Sequence, residues 1–253
     1  MEYDFQKEVK LFMIFDILGD TERTGPLLWH IDRKRLEDVK NHVADLIFIA
    51  RELRRYLPNY LDYDKIYDYI LCHDLPEAIT GDITKFEGVP GEEITRVTNM
   101  AIDFLADTFD EIMDFRTIIH GYEDKVDLEA KVVNMLDKLH SASTFVKYQS
   151  EQNVDMDNPN IISCLRNHPF VVQKIAEGKD LADIFFEFHF MALNITEDEC
   201  EKYNISKEEA SSIVTPIQAF ANEMYQQKLN GTLLIDKNQF PKTATKYNRN
   251  IKR

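Results

Sequence analysis

Residues 63–82 read YDKIYDYILCHDLPEAITGD, and this stretch combines a helical apolar pattern with a cluster of ionisable residues. The apolar side chains at helical spacing are Ile66, Tyr69, Ile70 and Ile79. Because Gly81 is a helix stop signal, the pattern predicts one helix from about Tyr63 to Thr80. A helix with one apolar face needs other elements to cover that face, so the rest of the chain decides the fold class.

The same helical pattern recurs along most of the chain. Further helices are predicted at about 4–18, 36–57, 92–114, 123–151, 161–177, 180–192 and 206–229, with an acidic TEDECEK loop at 196–202. The apolar face of the long 123–151 helix is expected to hold Val126, Ala130, Val133, Leu136 and Leu139. With only 8 Gly and 8 Pro, and with no internal repeat or low-complexity linker, the sequence predicts a single-domain all-α bundle over residues 1–230.

Composition and charge exclude several functional classes. The 45 acidic residues outnumber the 30 Lys and Arg, and the formal charge of -15 argues against a general binder of nucleic acid or anionic membranes. Cys72, Cys164 and Cys200 are too few for a disulfide framework. The start MEYDFQKEVK lacks the basic region of a signal peptide, and no apolar run reaches the roughly 20 residues of a membrane helix. We therefore expect a reduced, cytoplasmic protein.

The segment 231–253 differs from the rest because acidic residues nearly vanish and Lys and Arg accumulate. A frayed basic tail is one interpretation, and an arm that reaches a neighbouring subunit or a phosphate is the other.

Ionisable residues interrupt apolar helix faces at three places. His42 lies among Val39, Val43 and Leu46, His73-Asp74 follows an apolar run, and Asp137 interrupts the apolar face of the long helix. A buried carboxylate is costly unless it is paired or binds a metal. Two imidazoles and two carboxylates form a mixed nitrogen and oxygen set that suits Mn, Fe, Co, Ni or Zn better than Ca, although a lone core histidine is usually only hydrogen-bonded.

The order His42, His73-Asp74, Asp137 resembles the signature of the HD-domain metal-dependent phosphohydrolases, which are all-helical. Four segments are similar to the branch that contains bacterial 5'-deoxynucleotidases: ERTG at 22–25, RLEDVKNH at 35–42, HDLPEAITGDI at 73–83 and EAKVVNMLDKL at 129–139. The resemblance covers about residues 5–150, so the helices at about 160–229 depend on periodicity alone.

The resemblance implies a role for each matching residue. His42, His73, Asp74 and Asp137 match the ligands of a divalent ion, which in this reading is Mn, Co, Fe, Ni, Zn or Mg. Two acids match catalytic positions: Glu77 would orient or deprotonate water, and Asp82 would lie near the substrate or, alternatively, cap the next segment.

Substrate contacts and assembly also follow from the resemblance. Arg23 matches an arginine that contacts phosphate. Trp29 matches an aromatic residue that borders the sugar, but in the family this tryptophan directly follows the glycine, whereas Pro26, Leu27 and Leu28 intervene here. A core position is therefore an equal alternative for Trp29. The implied partners are a small nucleotide substrate and a second copy of the chain in a homodimer.

Three functions fit these residues. The leading hypothesis is a 5'-deoxynucleotidase that releases phosphate from deoxynucleoside monophosphates, and its rival is a dNTP triphosphohydrolase that uses the same centre. A non-catalytic nucleotide sensor is the third, although the presence of Glu77 argues against it. A ppGpp hydrolase is disfavoured by Ala78, and the cyclic-dinucleotide branch is disfavoured because Glu123 follows Gly121-Tyr122 where that branch has proline.

Other histidines are assigned structural roles. His140, one turn after Asp137, could support a metal ligand, but a surface or core position is favoured for it. His30, His120, His168 and His189 lack a carboxylate or second histidine at ligand spacing. No Walker sequence, GxGxxG, HExxH or CxxC is present, so the sequence gives no support for motor ATPases, dinucleotide enzymes or zinc proteases.

Overall fold

The computed structural model describes residues 4–28, 36–84, 88–151, 169–179 and 181–236. In chain order the helices are α1 (Gln6–Ile17), α2 (Thr24–Leu28), α3 (Val39–Leu53), α4 (Tyr63–Cys72), α5 (Glu77–Thr80), α6 (Gly91–Phe109), α7 (Phe115–Glu123), α8 (Leu128–Glu151), α9 (Pro169–Ala176), α10 (Leu181–Met191), α11 (Glu197–Tyr203) and α12 (Lys207–Leu229). The described residues form no β-strand, and the predicted all-α fold is confirmed.

Helix α8 is the central element of the bundle. It packs against α3, α4, α7, α10 and α12, and most of its side chains are buried. A helix surrounded by others is apolar on nearly every face, which explains why Val132, Val133, Met135 and Leu136 are all fully buried although they are consecutive or nearly so. Any polar side chain on α8 therefore lies close to the interior of the protein.

Two apolar clusters meet near the start of α3 and the end of α4. Val43 and Ile70 belong to the larger cluster around α8, whereas Val39 and Cys72 belong to a smaller cluster under α1, α6 and α7. His42 and the residue after Cys72, His73, therefore lie where the two clusters adjoin. Both histidines are buried as a result.

The predicted helix from Tyr63 to Thr80 is wrong in one respect, because it is two helices. The chain leaves α4 after Cys72, and residues 73–76 form turns before α5 begins at Glu77. In this turn the amides of Leu75 and Glu77 bond to carbonyls three residues back. Pro76 has no amide hydrogen to continue α4, which is the physical reason for the break. Asp74 consequently lies on no helix.

Two further predictions of secondary structure are wrong. The TEDECEK segment is the helix α11, which begins with a capping box in which Thr196 and Glu199 bond to each other's backbone amides. Residues 115–122 carry no helix in the prediction, but they form most of α7, which has Asp114 as its N-cap. In both places a polar side chain caps the start of the helix. Helix α11 has only one buried side chain, Cys200, whereas α7 buries Phe115, Ile119 and Tyr122 at helical spacing, a pattern that the sequence contained.

The ends of other elements also differ from the prediction. Val126 is exposed rather than in the core, because Lys125 takes a left-handed backbone conformation and α8 begins only at Leu128. Helix α9 begins at Pro169, inside the predicted helix at 161–177. The predicted helix at 161–177 and the basic tail lie partly outside the described residues, which end at 236.

Helix α1 is confirmed, but its apolar pattern is only partly buried. Leu11, Ile14 and Phe15 pack on the smaller cluster. The exposed apolar side chains of this helix are Phe5, its N-cap, and Val9, Phe12, Met13 and Ile17. Among the described residues, no helix has the length and apolar character needed to span a bilayer.

Candidate metal centre

Three parts of the fold bring two histidines and two aspartates together. His42 lies on α3 and Asp137 on α8, whereas His73 follows the last residue of α4 and Asp74 lies in the turn after it. The distance from Nε2 of His42 is 3.3 Å to Oδ1 of Asp137 and 3.4 Å to Oδ2 of Asp74. Nε2 of His73 lies 3.2 Å from the same Asp74 oxygen. The donor atoms of His42, His73 and Asp137 all lie within 4.8 Å of one another, a spacing that one cation can bridge.

Unpaired buried atoms test whether this cluster suits a metal ion. Within the described residues, Nε2 of His42, Nε2 of His73 and Oδ2 of Asp74 are buried and make no hydrogen bond. Each such atom costs about 1–3 kcal/mol if it is left unsatisfied. A divalent cation accepts lone pairs from all three at once, and imidazole with carboxylate is a ligand set that transition metals favour. The residues present therefore fit a bound divalent metal.

The backbone of α4 fixes the orientation of His73. Its Nδ1 lies 2.9 Å from the carbonyl oxygen of Ile70, and a carbonyl can only accept, so Nδ1 carries the proton. In a neutral imidazole the lone pair is then on Nε2, the atom that faces His42 and Asp74. Helix α4 thus presents His73 in the form that a metal requires.

The electrostatics of the cluster keep His42 and Asp137 in the deprotonated form. Burial and the nearby Arg23 lower the pKa of His42 to about 3, although Asp137 and Asp74 act in the opposite direction. Burial would raise the pKa of Asp137, but Lys138 and His42 hold that pKa well below its ordinary value. Neutral imidazole and ionised carboxylate are the forms that bind a cation.

Glu77 is the first residue of α5 and lies near two acids, Asp74 in the turn before α5 and Asp82 in the loop after it. Burial raises the pKa of Glu77 well above its ordinary value, and the charges of Asp74 and Asp82 raise it further. Its Oε2 is buried and makes no hydrogen bond among the described residues. A carboxyl with a raised pKa beside a metal cluster has the properties of a general acid or base.

Arg23 and Asp82 form the opposite side of the cluster. The guanidinium of Arg23 lies 3.7 Å from Oδ2 of Asp74, and the surrounding acids raise its pKa despite burial. Oδ2 of Asp82 accepts a hydrogen bond of 2.7 Å from the amide of Thr24, and the hydroxyl of Thr24 donates to the carbonyl of Asp82. Asp82 therefore attaches the segment that carries Arg23 to the loop after α5.

Several residues near the cluster could not be identified from the sequence pattern. Lys138 donates to Asp137, Tyr122 packs edge-on against the ring of His73, and His140 contacts His42. The spacing of His140 from Asp137 was visible, but its contact with α3 was not. Trp29 lies outside the described residues, so its predicted contact with substrate stays a prediction.

Comparisons with known proteins identify the family of this chain. A family model described as an HD domain matches residues 15–177 of the chain. The chain belongs to the HD domain family. The human protein 5'-deoxynucleotidase HDDC2 is 24% identical over 173 residues, which cover 66% of this chain and 83% of the human one. The mouse protein of the same name is 25% identical over 160 residues, covering 61% and 78% of the two chains.

A solved structure is similar to this HD domain protein over most of its length. It is described as a predicted metal-dependent phosphohydrolase from Magnetospirillum magnetotacticum MS-1, with a TM-score of 0.55 and 14% identity. The match covers 91% of this chain and 95% of the other. At that identity the similarity supports the fold, and it extends to the C-terminal helices that the sequence motifs do not reach.

Proposed function

We propose that this HD domain protein is a divalent-metal phosphohydrolase that removes phosphate from deoxynucleoside 5'-monophosphates. The observation that carries the proposal is the buried set of His42, His73, Asp74 and Asp137 near Glu77, in which the buried atoms of His42, His73 and Asp74 that face this set make no hydrogen bond. The human and mouse relatives named 5'-deoxynucleotidase support the choice of substrate. An acidic protein with a charge of -15 also needs a local positive centre to hold a phosphate.

Each residue of the site has a role in this proposal. When bound by the four ligands, the cation supplies positive charge that stabilises phosphate oxygens and makes water more acidic. Glu77 orients the attacking water and takes its proton on the buried carboxylate. Arg23 donates to a phosphate oxygen, for which its planar group with several N–H donors is suited. Asp82 lies near the sugar or leaving group and holds the Arg23 segment in place.

A substrate screen with purified protein tests the function. Deoxynucleoside monophosphates, ribonucleoside monophosphates and dNTPs are each incubated with Mn, Co or Mg, and orthophosphate and tripolyphosphate are both measured. The proposal expects orthophosphate from deoxynucleoside monophosphates and none from the same assay with Asp137→Asn. Tripolyphosphate from dNTPs would establish the rival triphosphohydrolase. Nucleotide binding without hydrolysis of any compound would establish the sensor.

The assembly and location of the protein stay predictions. We propose a homodimer, for which sedimentation velocity gives a direct test: a single species of twice the 29.7 kDa chain mass is expected. A species at the mass of one chain across the micromolar range would contradict it. Fractionation of cells that express the protein tests the predicted cytoplasmic location.

A further inference from the structure

His140 is a buried histidine that contacts the candidate metal ligand His42. It lies on α8, one turn after Asp137, and is 3% exposed. Its Nδ1 lies 2.9 Å from Nδ1 of His42. Its Nε2 lies 3.4 Å from Oε1 of Glu37 and 3.4 Å from Oδ2 of Asp45. His140 therefore lies between the metal cluster on one side and two carboxylates on the other.

The direction of these hydrogen bonds follows from proton counting. A metal on Nε2 of His42 needs the lone pair of that atom, so a neutral His42 carries its proton on Nδ1. The bond between the two Nδ1 atoms needs one donor and one acceptor, and Nδ1 of His140 must then accept. The proton of neutral His140 consequently lies on Nε2, where Glu37 and Asp45 offer only acceptor oxygens when ionised.

We infer that His140 is a positioning residue that holds His42 in the tautomer and orientation required for metal binding. Glu37 and Asp45 fix the proton of His140, and His140 fixes the proton of His42. This inference depends on the proposed metal site but not on any hydrolytic activity. Outer residues that orient a ligating histidine typically change metal affinity about 10–100-fold when they are removed.

Backbone hydrogen bonds hold Glu37, which contacts His140, in a fixed position at the start of α3. Its side chain is 4% exposed and reaches His140, while its backbone carbonyl accepts a bond of 3.0 Å from the amide of Arg23. The next residue, Asp38, caps α3 through the amide of Asn41. The start of α3 therefore fixes both His42 and the carboxylate that acts on it through His140.

A different use of the same atoms is a second cation. Donor atoms of Glu37, His42 and His140 also lie within 4.8 Å of one another. The 2.9 Å separation of the two Nδ1 atoms is a normal hydrogen-bond distance, and His42 would have to bind two cations through its two nitrogens. One cation per chain is therefore expected, and metal stoichiometry distinguishes the two arrangements.

The test compares two substitutions of His140 that differ in one acceptor. His140→Phe keeps a planar ring but leaves the proton of His42 unpaired. His140→Asn offers an oxygen near the position of Nδ1 and can still accept from His42. Metal-free protein is titrated with Mn²⁺ or Co²⁺ by calorimetry, the bound metal is counted by elemental analysis, and the visible spectrum of the Co²⁺ form is recorded. Thermal unfolding in EDTA verifies that each variant folds.

We expect about one metal per wild-type chain. The metal affinity of His140→Phe should be lower by about 10–100-fold, with a changed Co²⁺ spectrum, and that of His140→Asn should be within about threefold of wild type. Glu37→Gln should lower metal affinity by a few-fold.

Equal affinity and spectrum in wild type and a folded His140→Phe would overturn the inference while leaving the metal site intact. Two metals per wild-type chain, with one lost in His140→Phe, would replace it with the second cation site. Absence of metal binding by wild type would overturn both this inference and the proposed function.

A spectroscopic measurement tests the tautomer itself. In protein loaded with Zn²⁺ and labelled with ¹⁵N-histidine, His42 should carry its proton on Nδ1, with Nε2 unprotonated. At equal Zn²⁺ the His140→Phe variant should show a larger fraction of His42 protonated on Nε2, which is the form that cannot hold a metal. His42→Gln identifies the resonances. A wild-type His42 protonated on Nε2 would contradict the proposed direction of the hydrogen bonds.

Discussion

The two carboxylate oxygens of Asp137 face different partners: Oδ1 lies 3.3 Å from Nε2 of His42, and Oδ2 lies 2.7 Å from the ammonium of Lys138. One oxygen is thus directed to the proposed cation and the other to a neighbouring positive side chain. Lys138 partly neutralises Asp137, and its side chain is 38% exposed, which leaves it accessible at the edge of the cluster.

Replacement of Lys138 by Met should weaken binding of an anionic substrate more than binding of the metal. The change removes a positive charge beside the phosphate position but leaves all four proposed ligands. We expect KM for a deoxynucleoside monophosphate to rise about tenfold, equivalent to about 1.4 kcal/mol, with metal affinity within about threefold of wild type. Steady-state kinetics and calorimetry measure the two quantities. Lys207→Met, at an exposed site on α12, is the control for net charge.

Replacement of Glu77 by Gln should separate catalysis from metal binding. Gln has nearly the same shape but cannot take a proton from water. Loss of a general base typically reduces rate by about 10²–10⁴-fold, so kcat should fall in this range while bound metal per chain is unchanged. Elemental analysis and single-turnover phosphate release give the two measurements. A variant that retains kcat within threefold would exclude Glu77 as the base.

Two substitutions of Asp82 distinguish a charge requirement from a positioning role. Asp82→Asn keeps an oxygen that can accept from the amide of Thr24, whereas Asp82→Ala removes it. If Asp82 acts mainly by holding the Arg23 segment, the Asn variant stays within about threefold of wild type and the Ala variant raises KM about tenfold. Equal losses of kcat in both variants would instead support the direct catalytic role implied by family resemblance.

The sequence was sufficient for the fold class because the large buried surfaces are periodic. The apolar set Val39, Val43, Leu46, Ala50 and Leu53 predicts α3, and these side chains are buried as expected. A short helix without such periodicity was not predicted. Helix α11 has only one buried side chain, Cys200, and its start is stabilised by a capping box. The signal Thr196-x-x-Glu199 was present in the sequence, so this helix could have been identified from its cap.

The candidate site also contains residues that the sequence predicts and residues that it does not. Motif spacing selects His42, His73-Asp74 and Asp137 as a set, and the structure brings them together. The supporting residues do not follow from spacing, because their role depends on contacts between helices. His140 acquires a specific partner only when α3 lies against α8, and periodicity alone predicts that these helices are buried but not which histidine nitrogen meets which.

Gly121, on α7, offers a test of packing between α7 and α4. A Cβ at this position would lie 3.0 Å from the hydroxyl of Tyr69 and 3.4 Å from Val126. We expect Gly121→Ala to lower the free energy of unfolding by about 1–3 kcal/mol because the ring of Tyr69 must move. Gly91→Ala, where a Cβ would meet nothing within 4 Å, is the matched control and should be neutral or stabilising. Urea unfolding in EDTA measures both.

Asp127 should make the stability of the protein depend on pH. Its Oδ1 accepts from the amide of Ala130 at the start of α8, and its Oδ2 accepts from Tyr69 at 2.8 Å and pairs with Lys65 at 2.6 Å. Burial would raise the pKa of Asp127, but the bonds from Lys65, Ala130 and Tyr69 outweigh burial and hold the pKa below its ordinary value. The ionised form is therefore favoured by folding.

The sign of the pH effect follows from this lowered pKa. The stabilisation is fully present above the unfolded pKa of about 3.9 and is lost as the pH falls through the lower folded value. Asp127→Asn should thus reduce the free energy of unfolding by about 1 kcal/mol at pH 7, since the pair with Lys65 is partly exposed and screened by water. The difference from wild type should shrink below about pH 4. Urea unfolding of both proteins in EDTA at several pH values measures this difference, and Asp20→Asn at an exposed position serves as control. A difference that grows on acidification would mean that folding raises the pKa of Asp127, and the assignment of its hydrogen bonds would then be wrong.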